Sequence, residues 1–254
     1  VTTYDYNKQS FKYDKLNDAQ TNDYENTYGF TNAGIRMRTQ MKRFNYSFGL
    51  SWQQAELEGK IISGIKDSVT SKTFRNLLPN ARFQYNISRF KSFSITYGAN
   101  TNQPSMSQLQ PVPDLTDRLN IRYGNPDLKQ EYNHNIQANL NLLSPYKNKN
   151  LFIFLTMQAT SNKIVSNDSL NLQTGVRYST PVNVNGVYTI NSDINYSMPV
   201  HFLKGTIEIG SRSGYLKTKQ FINSFVNDIK TWSLGPDIRF DINPNDKLNI
   251  GAGA

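Results

Sequence analysis

Apolar residues recur at every second position in six stretches of the chain. In residues 44–52, Phe44, Tyr46, Phe48, Leu50 and Trp52 fall on one side of an extended strand, with Asn45, Ser47, Gly49 and Ser51 on the other. Successive strand side chains point to opposite faces, so this is the period of a half-apolar β-strand. The same alternation runs through Ala81, Phe83, Tyr85 and Ile87, then through Phe93, Ile95, Tyr97 and Ala99. It returns at Ile136, Ala138, Leu140 and Leu142, at Tyr188, Ile190, Ile194, Tyr196 and Met198, and at Trp232, Leu234, Ile238, Phe240 and Ile242. Helical spacing does not compete over a useful length. The pattern predicts an all-β chain of about ten strands.

The connections are of two kinds, and they alternate. Short ones fall at residues 41–43, 89–91, 144–149, 201–204 and 243–246. Long ones fall at 58–72, 101–131, 167–185 and 219–228, and the opening segment to residue 26 reads as another. This order predicts an antiparallel up-and-down meander with all tight turns on one edge. Long strands, one apolar face, one polar face and asymmetric loops are the pattern of a transmembrane β-barrel, or part of one. The apolar face then meets lipid, the polar face lines the lumen, and the sheet must close because hydrocarbon satisfies no backbone group. A soluble β-sheet binding or adhesion module that recognises glycans through its loops also alternates. Its solvent face, however, carries many Lys and Glu, whereas here Asn, Ser, Thr, Gln and Gly dominate. Trp52, Tyr188 and Trp232 stand near the ends of apolar faces, where an interfacial girdle belongs.

Composition narrows the choice further. Of 254 residues only 37% are hydrophobic, yet 12% are aromatic, too many for a disordered chain. There is no cysteine, so disulfides and thiolate metal sites are excluded. The net charge of +9 comes from scattered residues without a dense basic run, which argues against a nucleic-acid partner. No apolar run approaches the ~18 residues of a membrane helix; the longest spans residues 151–155. The chain opens in a tyrosine-rich polar stretch and stops at "LNIGAGA", inside an alternating pattern. It therefore reads as one barrel segment, residues 1–254, cut from a longer protein at both ends, and the missing signal peptide says nothing about location.

Catalytic chemistry has little support. The two histidines, His134 and His201, fall at opposite ends of strands, roughly 30 Å apart or more at ~3.3 Å per residue. They cannot share a triad or a metal. No phosphate-cradling glycine loop or serine elbow occurs, and no cofactor is expected. The lumen-facing charges Arg36, Arg38, Arg82, Asp193, Arg239 and Asp241 are the better candidates. They serve either to contact a solute or plug, or to pair within a polar wall. The loop tyrosines Tyr4, Tyr6, Tyr13, Tyr24 and Tyr123 either stack on a ligand or pack the loops together.

One segment is more specific. "NQPSMSQLQPVPDLTDRLNIRYGNPDLKQEYNHNIQANLNL" resembles the C-terminal barrel of TonB-dependent outer-membrane receptors in their Bacteroidetes form. Pro104, Ser105, Leu109, Pro111, Asp117, Gly124, Asn125, Pro126, Leu128, Lys129, Glu131 and Tyr132 match the family pattern, while Gln130 stands where a second proline is usual. "TPVNVNG" (180–186) and "NPNDKLN" (243–249) resemble further stretches of it. The resemblance implies an outer-membrane barrel of about twenty-two strands around an N-terminal plug. It also implies contact with outer-membrane lipid, energy from the TonB complex through a region this chain lacks, and import of a scarce extracellular solute. The motif itself reads as structural: Pro126 holds Asn125 extended, Asp127 favours the turn, Gly124 permits a tight approach, and Glu131 and Tyr132 start the next strand.

Overall fold

The computed structural model describes residues 4–16, 23–63, 69–110, 113–223, 225–245 and 248–254. Residues 1–3 and 17–22 lie outside that set, as do Pro111 and the side chain of Tyr24. A small hairpin of β1 (Tyr4–Asn7) and β2 (Lys12–Leu16) forms its own sheet.

The main sheet is the expected meander. β3 (Asp23–Gln40), β4 (Phe44–Ser63), β5 (Val69–Ser88) and β6 (Lys91–Asn102) pair in sequence, each antiparallel to the last. After a long excursion holding helix α1 (Met106–Leu109) and β7 (Asn120–Arg122), β8 (Glu131–Ser144) pairs β6, and β9 (Lys149–Ser161) pairs β8. A second excursion, the hairpin β10 (Lys163–Leu170) and β11 (Arg177–Val184), returns the chain so that β12 (Val187–Val200) pairs β9. β13 (Gly205–Ile222), β14 (Phe225–Asn245) and β15 (Leu248–Gly253) complete the order. Among the described residues the meander thus has ten strands, and it stays open: β3 pairs only β4, and β15 only β14.

Two expected loops are strand instead. β4 and β5 are twenty residues each and remain paired out to Lys60 and Val69, through most of the region 58–72. β13 and β14 stay paired to Ile222 and Phe225, so 219–222 and 225–228 are strand. Twenty residues reach about 66 Å, while a membrane crossing takes only ~9–11. These strands continue well beyond a bilayer, where neither face needs to be apolar and the alternation fades.

Register sorts the side chains into two faces. Ile35, Leu50 and Pro79 lie side by side on one face, as do Leu140, Ile153 and Ile194 further along. The intervening positions, among them Arg36, Gly49, Asn80, Asn139 and Asn195, make the other face. The apolar row is open to its surroundings: Ile35 is 81% exposed and Trp232 77%. A soluble sheet would bury this row, so the exposure assigns the outer face to lipid. Aromatic residues mark its two borders. Phe44 stacks on Tyr85 at 4.8 Å near the short turns; Tyr188, Tyr215 and Trp232 form a chain of ring contacts at 5.6 and 4.2 Å near the long loops. On β12 the borders are Tyr188 and Tyr196, eight residues apart, about 26 Å along the strand and close to the ~25 Å apolar band of such barrels.

Strand β4 changes its pattern at the upper border. Up to Trp52 the apolar positions face out. Beyond it Ala55 and Leu57 are apolar and buried on the inner face, while Glu56 and Glu58 are exposed on the outer one. The buried apolar core of the molecule sits there, on the inner face above the membrane zone.

Candidate functional site

That core is built by the motif-bearing loop. Ser105 caps α1 through a reciprocal box: its Oγ accepts from the Gln108 N–H at 3.3 Å, and Gln108 Oε1 accepts from the Ser105 N–H at 2.9 Å. The helix presents Met106 and Leu109, which bury with Leu128 and Leu57 against Tyr28, Phe74 and Ile164. Pro104 is fully buried beside them. Met106 reaches over Gly59, where a Cβ would meet its Cε at 1.5 Å. The loop is therefore folded onto the inner wall of β3, β4 and β5.

The GNPD turn is what locks it there. A Cβ on Gly124 would lie 2.0 Å from the Gln110 carbonyl oxygen, so only glycine fits. Asn125 is the busiest residue: its N–H donates to Gln108 O at 2.6 Å and its Nδ2 to Pro181 O at 3.0 Å. Its Oδ1 accepts from the Asp127 N–H at 2.9 Å. The turn is thus made by the Asn125 side chain, and Asp127, expected to favour it, supplies only the donor N–H. Lys72, on β5, donates to Leu128 O at 2.7 Å and to Pro126 O. The Lys129 N–H donates to Asn183 Oδ1 at 2.8 Å, and Asp117 accepts from the Leu119 N–H at 2.9 Å. Gln130, where proline is usual, accepts from Asn76 Nδ2.

Glu131 closes the assembly. It is 4% exposed, pairs with Lys163 Nζ at 2.9 Å and accepts from the Ile164 N–H at 2.9 Å. Tyr132 Oη donates to Leu77 O. β7 runs parallel to β11, and Tyr123 stacks on Tyr178 at 6.4 Å, so the two excursions form one unit. Within it, Asp168 accepts from Arg177 Nη2 at 2.6 Å and from Ser166 Oγ at 2.7 Å. Burial works against the charge of Asp168, but Arg177 and the Ser166 and Ser179 hydroxyls outweigh it and hold the carboxyl below its ordinary range.

The charged candidates all take inner-face positions, in two groups. Arg38, Ser47 and Arg82 are in register across β3, β4 and β5, with Arg36 one step higher. Asp193, Arg239 and Asp241 lie on β12 and β14. Asp193 pairs with Arg212 at 3.5 Å, and Arg239 is in register with Glu208. Among the loop tyrosines, Tyr6 packs edge-on against Tyr13 at 5.3 Å. His134 belongs to the upper aromatic border, its Nδ1 2.9 Å from Tyr97 Oη and its ring 4.9 Å from that of Tyr132. His201 is in the turn at the other end.

Several contributors were not anticipated. Met106, Gln108, Lys72 and the Asp168–Arg177 pair have no motif position, and Asn183 stands in the "TPVNVNG" stretch, where its sequence assigned it no role. Only the Ser105–Gln108 box was legible locally, as Ser-x-x-Gln before an apolar residue. Lys72 and Asn183 act on residues more than fifty positions away. Among the described residues, no three His, Asp or Glu gather at metal-binding spacing.

No curated protein sequence matches the chain. Solved structures that do match include the siderophore receptor PirA from Pseudomonas aeruginosa, at 10% identity and TM-score 0.48, covering 91% of this chain and 53% of that one. The copper transporter OprC matches at 9% identity and TM-score 0.49, covering 91% and 41%. The FrpB iron transporter from Neisseria meningitidis matches at 14% and 0.44, covering 90% and 40%. The chain spans about half the length of these structures or less. The outer membrane protein beta-barrel family matches residues 1–253. With its lipid-facing apolar row, paired aromatic borders and polar inner wall, the chain belongs to that family, and its strands cross the outer membrane of a Gram-negative cell.

Proposed function

We propose that this chain is a wall segment of a larger TonB-dependent receptor barrel that imports a scarce solute. The observation that carries the reading is the seat of the motif loop. It is turned onto the inner wall and anchored by Lys72, Asn125 and Glu131, so it narrows the space a solute must enter. The open sheet supports the same reading, because unpaired strand edges are not tolerated in hydrocarbon. Further strands of the same protein would close the barrel and a plug domain would fill it. On this reading Arg36, Arg38 and Arg82 form a basic stripe on the inner wall of β3 and β5 that meets the plug or an anionic group of the solute, while Asp193, Arg239 and Asp241 belong to a wall of mixed charge. The glycan-binding soluble module has no use for an exposed apolar row of this height.

The test is genetic. The gene is deleted in its host, and growth is followed on limiting iron chelates, cobalamin, glycans and peptides, then restored with the wild type and with Arg36→Gln/Arg38→Gln/Arg82→Gln. Loss of growth on one solute class is expected, with short-term uptake of that solute by wild-type cells abolished by a protonophore. Normal growth on all classes, or uptake indifferent to the protonophore, would refute the proposal.

A further inference from the structure

Four of the five short turns share a chemistry that solute import does not use; the fifth, 243–246, holds Asp246 and no cation. Residues 41–43 hold Lys42 and Arg43, 89–91 hold Arg89 and Lys91, 144–149 hold Lys147 and Lys149, and 201–204 hold Lys204. None of these four turns contains Asp or Glu. All seven cations are exposed. The opposite end is mixed, with Asp114, Asp117, Asp127 and Asp168 among Arg118, Arg122 and Arg177. On these four turns the fixed charge is wholly positive, whereas at the long-loop end the two signs are interspersed.

Three of these turns also carry an aromatic ring in the open. Phe90 is 42% exposed, Tyr146 98% and Phe202 86%. The last two are held by matching backbones. Each occupies the middle of a three-residue 3-10 turn, Pro145–Lys147 or His201–Leu203, closed by a left-handed residue, Asn148 or Lys204, both with φ of 48°. The closing N–H donates back to the first carbonyl at 3.2 and 3.1 Å. The rings are held out by ordered turns. Arg89 lies 5.8 Å from the Phe90 ring. In water an exposed ring leaves apolar surface hydrated at a cost. At the depth of lipid headgroups the same ring is at home, and a cation beside it meets phosphate.

Position agrees with chemistry. The turns lie just past the lower aromatic border of Phe44, Tyr85 and Tyr196, and short turns are the periplasmic end of such barrels. We propose that this rim docks on anionic phospholipid headgroups of the periplasmic leaflet, with Phe90, Tyr146 and Phe202 at glycerol depth and the neighbouring cations on phosphate. The inference rests on the outer-membrane placement and stands apart from the import reading.

The test uses the full-length protein purified in a neutral detergent. It is titrated with phosphatidylglycerol and with phosphatidylcholine of the same short chains, and bound lipids are counted by native mass spectrometry. A preference for phosphatidylglycerol of about tenfold or more at ~0.1 M salt, collapsing towards equality near ~1 M, is expected from screening. Lys42→Gln/Arg43→Gln/Arg89→Gln/Lys91→Gln should lose about tenfold or more of the phosphatidylglycerol affinity, while Tyr146→Ser/Phe202→Ser should weaken both lipids alike. Equal binding of the two lipids by the wild type, or a preference insensitive to salt, overturns the proposal, and this titration needs no variant to fold. A preference left intact in the quadruple variant overturns it as well.

Discussion

The assignment of faces makes neighbouring residues respond oppositely to the same substitution. Leu155 lies on the outer face of β9, in register with Ala138 and Ser192. On the same face, Tyr188 is level with Ala159 and Tyr196 with Leu151. Leu155 is thus four residues from either aromatic border, about 13 Å along the strand, which puts it at the middle of the apolar band. Arginine at the midplane of a lipid face costs about 2–4 kcal/mol. Leu155→Arg should therefore weaken folding into a bilayer by about 30-fold to about 800-fold. Thr156, one residue on, faces inward between Gln137 and Asn191. Thr156→Arg should stay within about 0.5 kcal/mol of the wild type. Guanidine titration of the full-length protein in lipid vesicles, followed by tryptophan fluorescence, measures both. Equal losses, or a larger loss for Thr156→Arg, would show that the two faces have been assigned wrongly.

The loop assembly yields three further expectations. Leu128→Ala empties a fully buried site; such changes cost about 2–5 kcal/mol, and the flexible Met106 beside it favours the low end. Hydrogen exchange at Asn125 and Leu128 should speed up about 30-fold with β12–β14 unchanged; unaltered protection would contradict the packing. Gly124→Ala meets backbone at Gln110 and should loosen the loop by about 1–3 kcal/mol, whereas Gly59→Ala meets only the end of Met106 and should cost less; limited proteolysis of residues 103–130 ranks them, and the reverse order would be fatal. Asp168 has a lowered carboxyl pKa in the folded state, so its contribution is present above the unfolded carboxylate range, near ~4. That contribution is lost as pH falls through the lowered value. Exchange protection of β10–β11, corrected for intrinsic rates, should hold from neutral pH down to that range and drop below it, and Asp168→Asn should remove the acid transition; a transition that survives the substitution belongs to another group.

The membrane-crossing part of this fold was legible because lipid on one side and a polar lumen on the other impose a period of two. Trp52, Tyr188 and Trp232 marked a border for the same reason. Where the strands rise out of the bilayer that constraint ends. Residues 58–60 and 69–72 therefore read as loop although their backbones are paired, and so did 219–222 and 225–228. The candidate site was legible unevenly. The motif positions pointed to the right loop, yet nothing local said that it folds inward. That depends on Leu57 and Lys72 meeting Leu128, contacts between residues far apart in the chain. The β10–β11 hairpin was hidden likewise, since neither of its strands alternates cleanly and its partners lie on β7 and β13.

The change of pattern along β4 also limits how such a protein can vary in length. Its apolar positions face outward through Trp52 and inward from Ala55. Removing or adding one residue between them would swing Ala55 and Leu57 outward and bring Glu56 and Glu58 beneath Leu109 and Leu128. The bilayer portion of the strand would be untouched, and the floor of the loop assembly would be gone. Insertions and deletions at this point of β4 are therefore tolerable only two residues at a time, so the heights of the extramembrane strands in related barrels should differ here by even numbers.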